Sequence, residues 1–513
     1  GVGIPLRNRG GCMTKRMILA YVHDPPAKQT IDTRWREPNF LFEQGFTDFV
    51  IADQLTGCSS LVMDEADDKI SRPALTALDQ RLQNTLEAGL KAWVMEDLFT
   101  LSKEVAESTS GCPHDEQTWQ AISTNLQALF ERFPDLQGII FRFGESFDTE
   151  PWANRVDPFS CQCKICDNYG KVGALQRIIS ELEEHVCEQL GMYCIIRMWD
   201  LGEEGIHADS EQQSAAFGKY NENPRLVVSV KHTATDYWRH QPWNNSIQLD
   251  GPPRMIEFQC EREYEFLGLV PNWLGHHWST GFPEVDSLKT AGLANSLPPN
   301  WAGSYIIPRG GGWSADVASD DFWSAINSYA IIALTREPKR SADEILDAFL
   351  LKQGFEDDAS RHSFASLIQM SSDLVLHLRY LPTFQNLANQ LWMPSHNWIR
   401  DDTFVPGACA HIANLVAKED KTELFRDERS FASIVARTQL ARAEALFDGG
   451  PFADHPKAGF ILDSYEWARK FAELSEEIWN KLLASTPLTR EKTKTIIESE
   501  LTNNPLPPLR CLE

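Results

Sequence analysis

The chain has 513 residues, 42% of them apolar and 24% charged, with 30 Gly and 28 Pro, an ordinary globular balance with room for roughly two to four domains or one large barrel with an appendage. Forty-eight Lys and Arg stand against 73 Asp and Glu, a formal net charge of −25, and so acidic a chain repels phosphate backbones and anionic lipid headgroups, which makes nucleic acid and membrane surfaces poor partners. No apolar run approaches the ~18 residues of a spanning helix.

The first apolar run, MILAYV from Met17, follows Lys15 and Arg16 and is broken by HDPP. It is too short for a secretory signal and reads as a buried strand. Met13 is read as the native start, with residues 1–12 a leader or expression remnant. The next runs are FTDFVIA from Phe46, LKAWVM from Leu90, LQGIIFRF from Leu136, MYCIIRMW from Met192, RLVVSV from Arg225, RMIEFQC from Arg254 and AGSYIIP from Ala302. All eight are short, rich in β-branched and aromatic residues, and separated by stretches with apolar residues three and four apart, such as TWQAISTNLQALFERF from Thr118. Strand followed by helix, repeated eight times, predicts an α/β fold of the (β/α)8 barrel kind. A doubly wound open sheet would place a Gly-rich phosphate turn after its first strand, where this chain has HDPPAKQ. Beyond the eighth strand the pattern is helical only. The expected division is a catalytic barrel over residues 13–335 and a C-terminal all-helical domain over 336–513.

Barrel active sites lie at the C-terminal ends of the strands, so the polar residues closing each run are the candidates. The fourth run leads to Arg142 and Glu145, the fifth to Arg197, Trp199 and Asp200, the sixth to Lys231, Asp236 and Trp238, the seventh to Glu257, Glu261 and Glu263, and the eighth to Arg309 and Trp313. Carboxylates facing each other across a cleft are what glycoside hydrolysis needs, one to protonate the leaving oxygen and one to activate water or attack. Loop tryptophans offer flat faces for sugar rings. Arg142, Arg197 and Lys231 on successive strands suit a substrate carboxylate. Each signal has a plainer reading: acids as loop caps or ion-pair partners, cations that only neutralise those acids, and tryptophans as packing.

VSVKHTATD and RMIEFQCEREY resemble the VSIKNGPID and MMEFQITQEY stretches of the family 67 α-glucuronidases, and FRFGES resembles that family's VKANSEG. Asp236 and Glu263 are 27 residues apart, within one of the family's spacing, and SYAIIALTREPKRSADEILDAFLLKQGF is similar to the family's helical segment after the eighth strand. The resemblance implies a (β/α)8 barrel of inverting, exo-acting hydrolases that release glucuronic acid or its 4-O-methyl ether from oligosaccharides such as xylan fragments. It implies a homodimer through the helical domain. Glu145 matches the general acid, Asp236 and Glu263 the carboxylates that activate water, and Arg197 and Lys231 the basic residues that hold the uronate. Arg142, Trp199, Trp238, Arg309 and Trp313 complete the expected substrate contacts. The chain departs from the family in lacking its N-terminal β domain, in having Arg142 one place away from the family's Lys, and in reading ATD for PID. A hydrolase of another sugar, or a non-catalytic carbohydrate-binding barrel, are the alternatives.

Eleven cysteines, an odd number spread over a long chain, suit the cytoplasm better than a disulfide framework. Cys161, Cys163 and Cys166 form a CxCxxC, a spacing seen in zinc and iron–sulfur sites. Ordinary thiols are the expected state; a metal would need a fourth ligand, for which His185 and Cys187 are the candidates. His276 and His277 are a further candidate metal or sugar contact, more commonly a hydrogen-bonded loop element. No cofactor and no metal are expected.

Overall fold

The computed structural model describes residues 15–22, 33–52, 68–102, 108–142, 152–154, 159, 161, 163–198, 206–218, 223–239, 241–284, 290–309, 317–388 and 403–511. Its strands are β1 (Met17–Ala20), β2 (Asp48–Ala52), β3 (Lys91–Asp97), β4 (Thr100–Ser102), β5 (Gly138–Arg142), β6 (Trp152–Asn154), β7 (Tyr193–Arg197), β8 (Leu226–Lys231), β9 (Arg254–Gln259) and β10 (Trp301–Ile307). Eight of them close a parallel barrel in the order β1, β10, β9, β8, β7, β5, β3, β2. Each coincides with one of the eight apolar runs, so the chain folds as the (β/α)8 barrel its patterning predicts, followed by a C-terminal helical region. β4 and β6 form a separate antiparallel ribbon.

The chain forms two compact units, interleaved in sequence: residues 1–235, 243–258 and 296–307 in the first, and 236–242, 259–295 and 308–513 in the second. The first unit holds the barrel. Its strands are buried on both faces, as parallel strands flanked by helices must be. All six residues of β8, LVVSVK, are buried, and each buried Leu or Val contributes about 1.5–3 kcal/mol. β10 approaches β1 so closely that a Cβ on Gly303 (φ +143°) would meet the Met17 carbonyl at 1.9 Å; this backbone conformation favours glycine. Helix α1 (Glu116–Arg132) begins at Asp115, whose carboxylate accepts the Gln117 N–H, and α2 (Lys164–Leu182) begins at Cys163, whose sulfur accepts the Cys166 N–H.

The second unit is largely helical. Its two longest helices, α3 (Thr422–Phe447) and α4 (Ala458–Ala484), pack on one another, with Phe425 edge-on to Trp479 at 5.2 Å. Phe355 stacks on His455 at 3.9 Å and meets Phe322, Phe364, Phe447 and Phe452 in one aromatic cluster. Among the described residues no helix is long and apolar enough to cross a membrane.

Candidate active site

Parallel register sets the polar rim of the barrel. Asp97 lies opposite Arg142, Arg142 opposite Arg197, and Arg197 opposite Ser229, while one step higher Lys231 lies opposite Glu257. Glu96, Asp97, Arg142, Arg197, Lys231 and Glu257 are all buried, though each is an ionisable side chain. Six such groups at the C-terminal ends of five adjacent strands are costly to hold in a core unless each is compensated.

The compensation is specific. Arg142 grips Asp97 with two bonds, Nε to Oδ1 at 2.5 Å and Nη2 to Oδ2 at 3.0 Å. Arg197 grips Glu257 in the same way, Nε to Oε1 at 2.9 Å and Nη2 to Oε2 at 2.7 Å, and the Ser229 hydroxyl donates to Oε1 at 2.8 Å. The Arg197 guanidinium also covers the Tyr305 ring at 4.8 Å. Burial acts to push the Glu257 carboxyl up, but the Arg197 charge and its hydrogen bonds, with Lys231 and Ser229, outweigh it and hold the carboxyl below the usual range. Arg142 and Arg197, expected as substrate contacts, thus each bind a carboxylate of the chain itself.

Within the second unit, the Tyr264 hydroxyl donates to Asp236 Oδ2 at 2.6 Å and the Tyr237 N–H donates to Oδ1 at 2.9 Å. Tyr264 follows Glu263, so one hydrogen bond ties the Asp236 segment to the Glu263 segment. Gln259 fixes Glu263 reciprocally, its amide donating to Oε1 at 3.1 Å and its carbonyl oxygen accepting the Glu263 N–H at 3.0 Å. The surrounding turn is strained: Arg262, Phe266 and Leu267 have φ of 61°, 71° and 51°, each costing about 1–3 kcal/mol. A buried ion pair holds it, with Arg262 Nε and Nη2 each 3.0 Å from Glu265, which also accepts from Asn272 at 2.8 Å and from the Tyr380 hydroxyl at 2.7 Å. Burial alone would raise the Glu265 carboxyl; Arg262 and the hydrogen bonds bring it down to about 2.

Trp238 is buried, stacked on Tyr264 at 3.8 Å with the Arg379 guanidinium 5.3 Å from its ring. Arg309 lies 3.6 Å from Glu261 and donates to the Ala318 carbonyl at 3.0 Å. Both residues pack within the second unit. His277 is a packed element: burial, with Arg239 beside it, lowers its imidazole to about 3, and it stacks on Phe282 and meets the Ser372 hydroxyl at 2.5 Å. His276 is half-buried and lies 3.0 Å from Asp343. Glu145, Trp199, Asp200 and Trp313 lie outside the described residues.

Sequence reasoning passed over Asp97, Glu96, Glu265 and Cys112. Asp97 and Glu96 close the third apolar run, and extending that run to its polar end would have found them. The proposed fourth ligands of the CxCxxC require correction. His185 bonds Ser123, Glu181 and Gln189 instead, and the sulfur beside Cys161, Cys163 and Cys166 is that of Cys112.

No protein-family model and no curated protein matches the sequence significantly. Among solved structures, the chain is similar to a mutant of the Thermobaculum terrenum O-GlcNAc hydrolase, at 9% identity over 96% of this chain and 88% of that one, with a TM-score of 0.43. It is also similar to a GH138 enzyme targeting pectin rhamnogalacturonan II, at 10% identity over 91% and 56%, TM-score 0.49, and to CpGH84B, at 9% over 96% and 73%, TM-score 0.44. These are likenesses of fold, and no residue role is transferred from them.

Proposed function

We propose that the chain is a glycoside hydrolase, exo-acting and inverting, that releases glucuronic acid or its 4-O-methyl ether from oligosaccharides. Glu145 is the proposed general acid, and Asp236 and Glu263 the carboxylates that activate water. The observation that supports this best is the bond from Tyr264 to Asp236. It fixes one proposed carboxylate to the residue next to the other, on a strained turn held by buried hydrogen bonds, and strain of this kind clusters at functional sites.

One observation favours a second reading, a hydrolase of a neutral sugar: the paired faces of Arg142 and Arg197 are engaged by Asp97 and Glu257. Lys231 then becomes the principal candidate for a uronate contact. Xylo-oligosaccharides bearing 4-O-methylglucuronic acid, and the same compounds with that carboxyl reduced to a hydroxymethyl group, separate the two. Release of the acid, with proton NMR showing the inverted anomer first, supports the uronidase. Faster release from the reduced compound supports the neutral glycosidase. Binding without turnover of either compound would make the chain a carbohydrate-binding barrel.

Homodimerisation through the helical region belongs to the same proposal. Leu424, Phe431 and Ile434 on α3 are each at least half exposed, and their spacing of seven and three residues places them along one side of the helix. Sedimentation of the purified chain at about twice the monomer mass supports the dimer.

A further inference from the structure

Four cysteine sulfurs from two successive β-to-α connections meet at one point in the barrel unit. Cys112 precedes α1, Cys161 and Cys163 precede α2, and Cys166 lies in the first turn of α2. Their sulfurs all lie within 4.8 Å of one another, with Cys112 3.7 Å from Cys163 and 3.4 Å from Cys166. A tetrahedral zinc with bonds of about 2.3 Å to sulfur separates its ligands by about 3.8 Å. A disulfide needs about 2.05 Å and joins only two sulfurs.

Two backbone donors point at the sulfurs. The His114 N–H lies 3.4 Å from the Cys112 sulfur, and the Cys166 N–H 3.4 Å from that of Cys163. Such outer donors orient thiolates and offset their charge. Cys112 and Cys166 are buried while Cys161 and Cys163 are half-buried, so the cluster is enclosed on one side and reachable from the other.

We propose that Cys112, Cys161, Cys163 and Cys166 form a structural Zn²⁺ site, in place of the ordinary thiols expected from the CxCxxC alone. A four-thiolate set selects a soft tetrahedral ion, and a site closed by four protein ligands leaves no position for substrate. Binding exchanges thiol protons for the ion: four S–H bonds are replaced by four Zn–S bonds, and the protons pass to solvent. The β4–β6 ribbon joins the same two connections, and the metal clips them together a second time. The metal assignment stands independently of the hydrolase reading.

The test is metal content. Full-length protein purified from zinc-replete cells without chelator should carry about one zinc per chain by mass spectrometry of the metal. Cys112→Ser and Cys163→Ser should lower that at least about fivefold, while Cys511→Ser, outside the cluster, should leave it unchanged. Because a ligand variant can fail to fold, the wild-type chain supplies a second measurement. An organic mercurial titrated into it should release zinc in step with four thiols, and growth on Co²⁺ should give the visible spectrum of a tetrahedral cobalt–thiolate centre. Wild-type protein with no stoichiometric metal, with iron instead of zinc, or with a disulfide among these four residues would overturn the assignment.

Discussion

The carboxylate of Glu257 and the guanidinium of Arg197 meet edge to edge, with bonds of 2.9 and 2.7 Å between side chains that are 1% and 5% exposed. They come from β9 and β7 and meet across β8, whose Ser229 hydroxyl completes the group. Breaking such a pair leaves a charge in the core without its counterpart, at a cost of about 3–5 kcal/mol, whereas replacing both members with apolar groups is commonly far milder. Arg197→Met should therefore lower the melting temperature by several degrees, and Glu257→Met likewise. The double variant should recover most of the loss. Thermal denaturation of all four proteins measures the coupling, and additive losses would show that the two residues act separately.

Acid should attack the second unit through Glu265. Its carboxyl is held at about 2 in the folded chain against about 4.5 when unfolded, so the unfolded state takes up the proton first as pH falls. The stabilisation is complete above about pH 4.5 and is lost as pH drops towards 2, amounting to about 3 kcal/mol. Glu265→Gln should start less stable at neutral pH and show a flatter decline over this window. Urea midpoints between pH 2 and 6 test it; equal slopes for variant and parent would remove Glu265 from the account.

All eight barrel strands were legible in the sequence because strands buried on both faces read as continuous apolar runs. The polar ends were legible only in part. Arg197 and Glu257 are 60 residues apart, and nothing local says they pair; the pairing follows from closed parallel register, which places alternate strands in one layer. Their engagement with each other is what the expectation of a cationic pocket could not include. Cys112 shows the same limit. It lies 51 residues before Cys163, whereas His185 and Cys187, nearer to the CxCxxC in sequence, sit on the π-helical segment Glu183–Gln189 that continues α2. Residues on consecutive connections of a barrel become neighbours at the strand ends, however far apart they are in the chain.

Tyr264 should act as a positioning residue for Asp236. Phe in its place keeps the ring stacked on Trp238 and removes the 2.6 Å hydrogen bond. A hydrogen bond to a charged group is worth about 1.5–3 kcal/mol, so kcat should fall by roughly tenfold or more with little change in KM. The pH–rate profile should shift on its acidic limb, because the phenol favours the ionised carboxylate. A fall in melting temperature with kcat and pH profile intact would assign the hydroxyl to structure alone.

Glu145→Gln should separate leaving groups. A general acid protonates the departing oxygen, and an aryl leaving group of low pKa needs little help. The variant should lose most of its activity on an oligosaccharide and much less on an activated aryl glycoside. Equal losses on the two would place Glu145 outside the acid role.

Lys231 and Arg197 should behave differently on charged and neutral substrates. The Arg197 guanidinium is already bound edge to edge by Glu257, so Arg197→Met should damage a uronide and its carboxyl-reduced counterpart alike, through the loss of a buried pair. Lys231 presents a compact ammonium on the neighbouring strand, in register with Glu257, and an ammonium can serve more than one carboxylate because its three donors point apart. If it contacts a substrate carboxylate, losing it leaves the anion underpaired by about 1.5–3 kcal/mol. Lys231→Met should then cut kcat/KM on the uronide about tenfold or more and spare the reduced compound, which presents a hydroxymethyl group and gains nothing from the charge. The alternative is that Lys231 serves only to help hold Glu257 ionised, a role its proximity already gives it. In that case both substrates lose together, and the stability of the variant drops with them. Measuring kcat/KM for the two compounds on Lys231→Met, with melting temperature alongside, decides between them. A selective loss assigns the ammonium to the substrate, and a parallel loss leaves the neutral glycosidase.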